Sequence, residues 1–143
     1  MSLVQGFLTR IQKYVDKGVI LSIPSAKSGS RLSHFLNGLF QMMNSSEACF
    51  VSMAVYFDRL LRTHNSLISE SNMIRLIFIS GVLAIKMQED FSCKNSYFAQ
   101  ISGIPNHEIN YLELNFLQWI EYRLVINPEE YQNYYKSLIS IKS

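Results

Sequence analysis

An all-α fold is predicted for this 143-residue chain by three features. The stretch from Ile74 to Met87 carries apolar residues on every side of a helical wheel, so it reads as a central helix enclosed by others. Helix start and stop signals recur along the chain at helix-length intervals. Strand-like alternation is almost absent from it, and β-hairpin turn signals do not occur.

The elements follow in order. Leu3 to about Asp16 forms an amphipathic helix with Val4, Phe7, Leu8, Ile11 and Val15 on one side. A link containing Ser, Gly and Pro runs from Ser22 to Ser30, and a second helix from near Arg31 to Met43. Asn44-Ser45-Ser46-Glu47 has the form of a capping box, a side-chain acceptor with a glutamate three residues on, and opens a helix from about Ser46 to Arg62. Ser69 and Glu70 start the central helix, which ends near Gln88, before the solvated acidic pair Glu89-Asp90. A short helix from about Asn95 to Ile101 is closed by Gly103. Pro105 falls in the first turn of the next helix, where its missing N–H costs nothing. Asn127-Pro128-Glu129-Glu130 opens a terminal helix to about Leu138. Residues 1–30 are thus a helix and linker, and 31–143 the bundle, one domain overall.

Composition narrows the function. The chain is 48% apolar and 17% charged, which excludes general disorder. A net charge of +2 is too small to argue for nucleic acid, since Lys13, Lys17, Lys27 and Arg31 make only a mildly basic N-terminal region. Cys49 and Cys93 have no CxxC spacing and read as small buried groups in a reducing compartment. Met1 to Gly18 is amphipathic rather than a leader, and Leu76 to Ile85 is about half the ~20 residues a membrane span needs. The expectation is a soluble, intracellular protein of nucleus or cytoplasm, with no membrane partner.

Catalytic chemistry is not expected. His34, His64 and His107 lack metal-ligand spacing, and there is no GxSxG, phosphate-binding glycine loop or activated cysteine. No cofactor, metal or small-molecule substrate is called for. What remains is a protein that works by presenting a surface.

Two charges stand out on that surface. Lys86 lies on the all-apolar helix, eleven residues or about three turns after Arg75, so the two share one stripe. Glu113 falls inside the apolar arc of Ile109, Leu112, Phe116, Leu117 and Ile120. Each charge costs on the order of several kcal/mol in apolar surroundings unless it is partnered. They therefore either pair with each other, tightening the bundle, or meet a partner outside this chain.

A family resemblance sharpens the alternatives. Ala54-Val55-Tyr56-Phe57-Asp58-Arg59 resembles the "A-x-Y-hydrophobic-D-R" signature of P/U-type cyclins, the group with the yeast phosphate-regulating cyclins. Arg75-Leu76 sits where that group has "H-R-L-L", and Val82 to Met87 is similar to "V-x-A-x-K-F". Asn95 to Ile104 resembles "N-x-Y-Y-A-K-V-G-G-I", and Glu108 to Leu117 resembles "E-L-N-x-L-E-x-x-F-L". The blocks occur in family order from about Ser33 to Tyr135.

The resemblance implies a cyclin fold: a five-helix cyclin box around a buried central helix, with flanking N- and C-terminal helices. It implies a regulatory subunit that is not itself an enzyme and that binds and activates a cyclin-dependent protein kinase. The alternative is a cyclin-fold adaptor that binds proteins without activating a kinase; a nucleic-acid-binding cyclin fold ranks last. Lys86 and Glu113 would reach main-chain groups beside the kinase's mobile C helix. Apolar contacts would come from Leu83, Met87, Leu117, Tyr122 and Leu124, with Ile11 or Tyr14 added from the N-terminal helix. Asp58 and Arg75 take structural roles.

The chain also departs from the family. Gly38 stands where the first box helix carries an arginine that pairs with the aspartate equivalent to Asp58, and Ile74 replaces a histidine. Asp58 then needs another cation, with Arg75, Arg59 and Arg10 as candidates. Phe7 to Tyr14 also fits the arginine-bearing pattern, but too far from Asp58 in sequence, and is read as chance or as an N-terminal helix.

Overall fold

The computed structural model describes residues 3, 5–7, 9, 37–44, 46–64, 66, 73–88 and 94–140. Within them run α1 (helical at residues 3, 5–7 and 9), α2 (residues 37–42), α3 (Glu47–His64) and α4 (Met73–Gln88), followed by α5 (Asn95–Ser102), α6 (Asn106–Trp119) and α7 (Pro128–Ser140). The described residues hold no strand, and the all-α expectation stands. The Ser22–Ser30 link, the boundary at residue 30, Ser69-Glu70, Glu89-Asp90, Cys93, His34, Arg10, Ile11 and Tyr14 lie outside the described residues.

Two helices, not one, hold the centre. α4 is buried at Met73 and continuously from Leu76 to Ile85, as its all-round apolar wheel requires. α3 is buried from Cys49 to Asp58 and again at Leu60 and Leu61. Their mutual packing is the most extensive between any pair of described helices, and α3 also meets α6 and α7. The sequence concealed this because Ser52 and Asp58 interrupt the apolar wheel of α3. Both of these polar groups are satisfied: Ser52 Oγ accepts from Gln88 Nε2 at 3.2 Å, and Asp58 is partnered as described below. Ser80, buried in α4, donates to the Ile77 carbonyl at 2.6 Å.

Aromatic rings fix α1 and α2 on α3. Phe7 of α1 is 1% exposed and packs edge-on against Phe50 and Phe57, with ring centroids 6.0 and 5.9 Å away. Burying such a side chain is worth about 1.5–3 kcal/mol. The Phe7 segment thus belongs to a packed N-terminal helix. Gly6 allows the close approach on its other flank, since a Cβ there would stand 1.8 Å from the Leu138 carbonyl oxygen of α7. Phe40 of α2 meets Phe50 at 5.3 Å, and Leu39 and Met43 are buried beneath it.

The helix ends follow from the punctuation, with shifts. Ser46 rather than Asn44 caps α3, its hydroxyl accepting the Cys49 N–H at 3.2 Å, while Asn44 takes a left-handed conformation (φ 57°) that ends α2. Gly103 closes α5 with φ 77°, its N–H bonded to the Ala99 carbonyl. Pro105 precedes the first residue of α6 instead of lying within its first turn. Asn127 Oδ1 accepts the Glu130 N–H at 2.7 Å and so caps α7.

α6 ends in a Schellman motif. The Tyr122 N–H reaches the Leu117 carbonyl at 2.8 Å, and the Glu121 N–H the Gln118 carbonyl at 3.0 Å. The left-handed positions that normally favour glycine are held by Glu121 (φ 58°) and Tyr122 (φ 57°).

Candidate functional site

Lys86 and Glu113 meet. Lys86, in the last turn of α4, places Nζ 2.7 Å from Glu113 Oε2 on α6, and both side chains keep some solvent contact, at 28% and 15% exposed. An ammonium near a helix C-terminus is favourably placed with respect to the backbone dipole. The other Glu113 oxygen, Oε1, accepts from Asn95 Nδ2 of α5 at 2.9 Å, and the same nitrogen donates to Asn110 Oδ1 at 2.6 Å. Asn110 and Glu113 are three residues apart on α6 and so share a face. Three helices converge on one carboxylate.

Arg75, on the stripe of α4 shared with Lys86, forms an ion pair with Glu108 of α6. The two cations of α4 thus each take a carboxylate of the same neighbouring helix. The expected stripe is a seam of paired charges, partly open to solvent.

The apolar residues expected around the pair divide. Met87 is 47% exposed and Tyr122 59% exposed. Leu117 and Leu124 are half-buried against the core. Leu83, one turn before Met87, lies within the core at 3% exposed. Val125, which the sequence reading did not single out, is the most exposed large apolar side chain of the described residues, at 81%.

The "A-x-Y-hydrophobic-D-R" block accounts for how this edge is held. Tyr56 donates its hydroxyl to the Leu124 carbonyl at 2.8 Å. Burial pushes the Tyr56 phenol up to about 12, against the opposing pull of Arg59. Arg59 donates to the Arg123 carbonyl, to the Val125 carbonyl at 3.0 Å, and to both Glu130 oxygens at 2.9 and 3.1 Å. Three successive carbonyls after α6 are therefore gripped from α3. The roles of Tyr56, Arg59 and Asn95 were missed in sequence, because each acts on a group of another segment that only the fold brings within reach.

Asp58 is 4% exposed and takes an ion pair from Arg62 at 3.0 Å, one turn along α3, and a hydrogen bond from the Tyr134 hydroxyl of α7. Of the candidate cations, Arg75 and Arg59 are engaged with Glu108 and Glu130. Among the described residues Arg62, on the same helix, is a cation on Asp58, and Arg10, the third candidate, lies outside them. Gly38 is exposed, and a Cβ there would meet nothing within 4 Å.

No cluster of three or more His, Cys, Asp or Glu side chains that could hold a metal occurs among the described residues. No described helix is long and apolar enough to cross a membrane. The described residues thus combine a partly exposed ion pair, exposed apolar side chains at Met87, Tyr122 and Val125, and a segment held from α3 through its carbonyls.

Comparison with known proteins agrees with the all-α fold. The profile of the cyclin family matches residues 3–124. Rice Cyclin-P4-1 is 35% identical over 109 residues, covering 76% of this chain and 51% of its own length. Arabidopsis Cyclin-U4-1 is 34% identical over 108 residues, covering 75% of this chain and 54% of its own. Arabidopsis Cyclin-U2-2 is 27% identical but extends over 93% of this chain and 62% of its own length. The chain spans about half the length of the first two relatives. Among solved structures there is no significant match.

Proposed function

The chain belongs to the cyclin family, as a P/U-type member with a single cyclin box, and from that premise we propose that it binds and activates a cyclin-dependent protein kinase. The observation that carries the reading is the Lys86–Glu113 pair, preformed at 2.7 Å and left partly exposed. A purely internal ion pair needs no such opening. Here the Lys86 ammonium uses one of its three N–H groups on Glu113 and keeps donor capacity for carbonyls of a partner. Met87, Leu117, Tyr122 and Leu124 supply apolar contact around it; Leu83 supports them from within.

Activation follows from the kinase's own requirements. The ion pair that orients its catalytic lysine forms only when its C helix is swung inward, and docking this edge against that helix favours the inward state. The cyclin performs no chemistry itself.

The test is phosphotransfer by cyclin-dependent kinases of the source organism, with and without the protein. Stimulation by wild type that Lys86→Ala and Glu113→Ala lose supports the reading. Either substitution leaves a charge unpaired at the interface and is expected to weaken kinase binding by about 2 kcal/mol or more. Binding of all three proteins with equal affinity sinks the interface assignment. Kinase binding without stimulation turns the reading to a non-activating adaptor.

A further inference from the structure

Lys86 holds only one of the two Glu113 oxygens; the other is held by Asn95, the first residue of α5, at 2.9 Å. An ionised carboxylate only accepts hydrogen bonds, so the amide of Asn95 must turn its nitrogen toward Glu113. The second hydrogen of that nitrogen goes to Asn110 Oδ1 at 2.6 Å, on the same face of α6. A carboxylate gripped at both oxygens from two different helices cannot swing toward solvent, and Lys86 is anchored with it.

We propose that Asn95 is a positioning residue for partner binding: it fixes the Glu113 carboxylate, and through it Lys86, in the arrangement that a kinase backbone meets. The inference rests on the kinase reading above. Its physical basis is pre-organisation, since side chains already ordered in the free protein lose less freedom on association.

Asn95→Asp is the informative variant. It keeps the shape of the side chain, removes the donor and sets two carboxylates against each other. An acidic residue in the first turn of α5 suits the helix dipole, so the start of the helix is retained. Kinase binding by the full chain is measured by calorimetry for N95D, alone and combined with Glu113→Ala, against a panel of cyclin-dependent kinase catalytic subunits. The expected result is a roughly tenfold loss in the wild-type background and less than about twofold in the Glu113→Ala background, as coupling through one residue requires. An equal loss in both backgrounds, or no loss in either, overturns the positioning role while leaving the kinase reading intact. A folded wild type that binds none of the kinases overturns the kinase reading and this inference with it. Spin relaxation at the Lys86 side chain supplies a readout without any kinase. N95D is expected to increase its mobility, and unchanged order also overturns the proposal.

Discussion

The Tyr134 hydroxyl donates to the Asp58 carboxylate across the seam between α7 and α3, with both residues buried. Together with Arg62 it serves a carboxylate whose family partner is replaced by Gly38 in this chain. α7 is thereby tied to the most buried part of α3 by a charge-assisted bond. Tyr134→Phe keeps the ring and removes the donor. It is expected to cost about 1.5–3 kcal/mol in urea unfolding, the range for a hydrogen bond to a charged group. A loss of only a few tenths would assign the hold on Asp58 to its other partners.

Alkaline unfolding isolates Tyr56. Its phenol is raised from 10 to about 12 in the folded protein, so the folded state keeps a proton that the unfolded chain releases. The stability this supplies is complete below pH 10 and is lost as pH rises through 12. Wild type should lose roughly 2–3 kcal/mol more than Tyr56→Phe between those values, by proton linkage. Parallel stability curves would contradict the assignment.

Gly6 is expected to tolerate no side chain. Its Cβ would collide with the backbone oxygen of Leu138, which cannot rotate aside as a side chain can. Gly6→Ala should separate α1 from α7 and cost about 1–3 kcal/mol, in the range of overpacked cores. A thermal scan with an unchanged midpoint would show that α1 does not pack there in solution.

Glu121 offers the opposite case. It holds a left-handed position in the Schellman motif, at φ 58°, where glycine carries no Cβ penalty. Glu121→Gly should stabilise the protein by about 0.5–1 kcal/mol, a rise of roughly 2–4 °C in Tm per kcal/mol for a chain of this size. A lowered Tm would mean that the Glu121 side chain contributes more than its backbone costs.

Much of the bundle was legible because its signals are local. Ile74 to Met87 has no polar face, and Gly103, Asn127 and Pro128 punctuate at short range. The shared burial of α3 was not legible, since Ser52 and Asp58 place polar groups on its wheel, and only the fold brings Gln88, Arg62 and Tyr134 to satisfy them. At the candidate site, two misplaced charges revealed Lys86 and Glu113, because burying a charge is costly enough to leave a mark in the pattern. Asn95 left none: an asparagine at a helix start is ordinary, and only the packing of α5 on α6 brings it to Glu113. Arg62, one turn from Asp58 on the same helix, carried no signal as its partner, because an arginine near a helix end is ordinary.

Tyr56 and Arg59 hold residues 123–125 by their carbonyl oxygens, which every amino acid possesses. The side chains of Arg123 and Val125 can therefore be exchanged without releasing the grip from α3. Such an edge separates two kinds of inheritance: the path of the chain is written in α3, and what it displays is free to diversify. Substitution at these outward positions changes the surface of the segment while the scaffold beneath it stays constant.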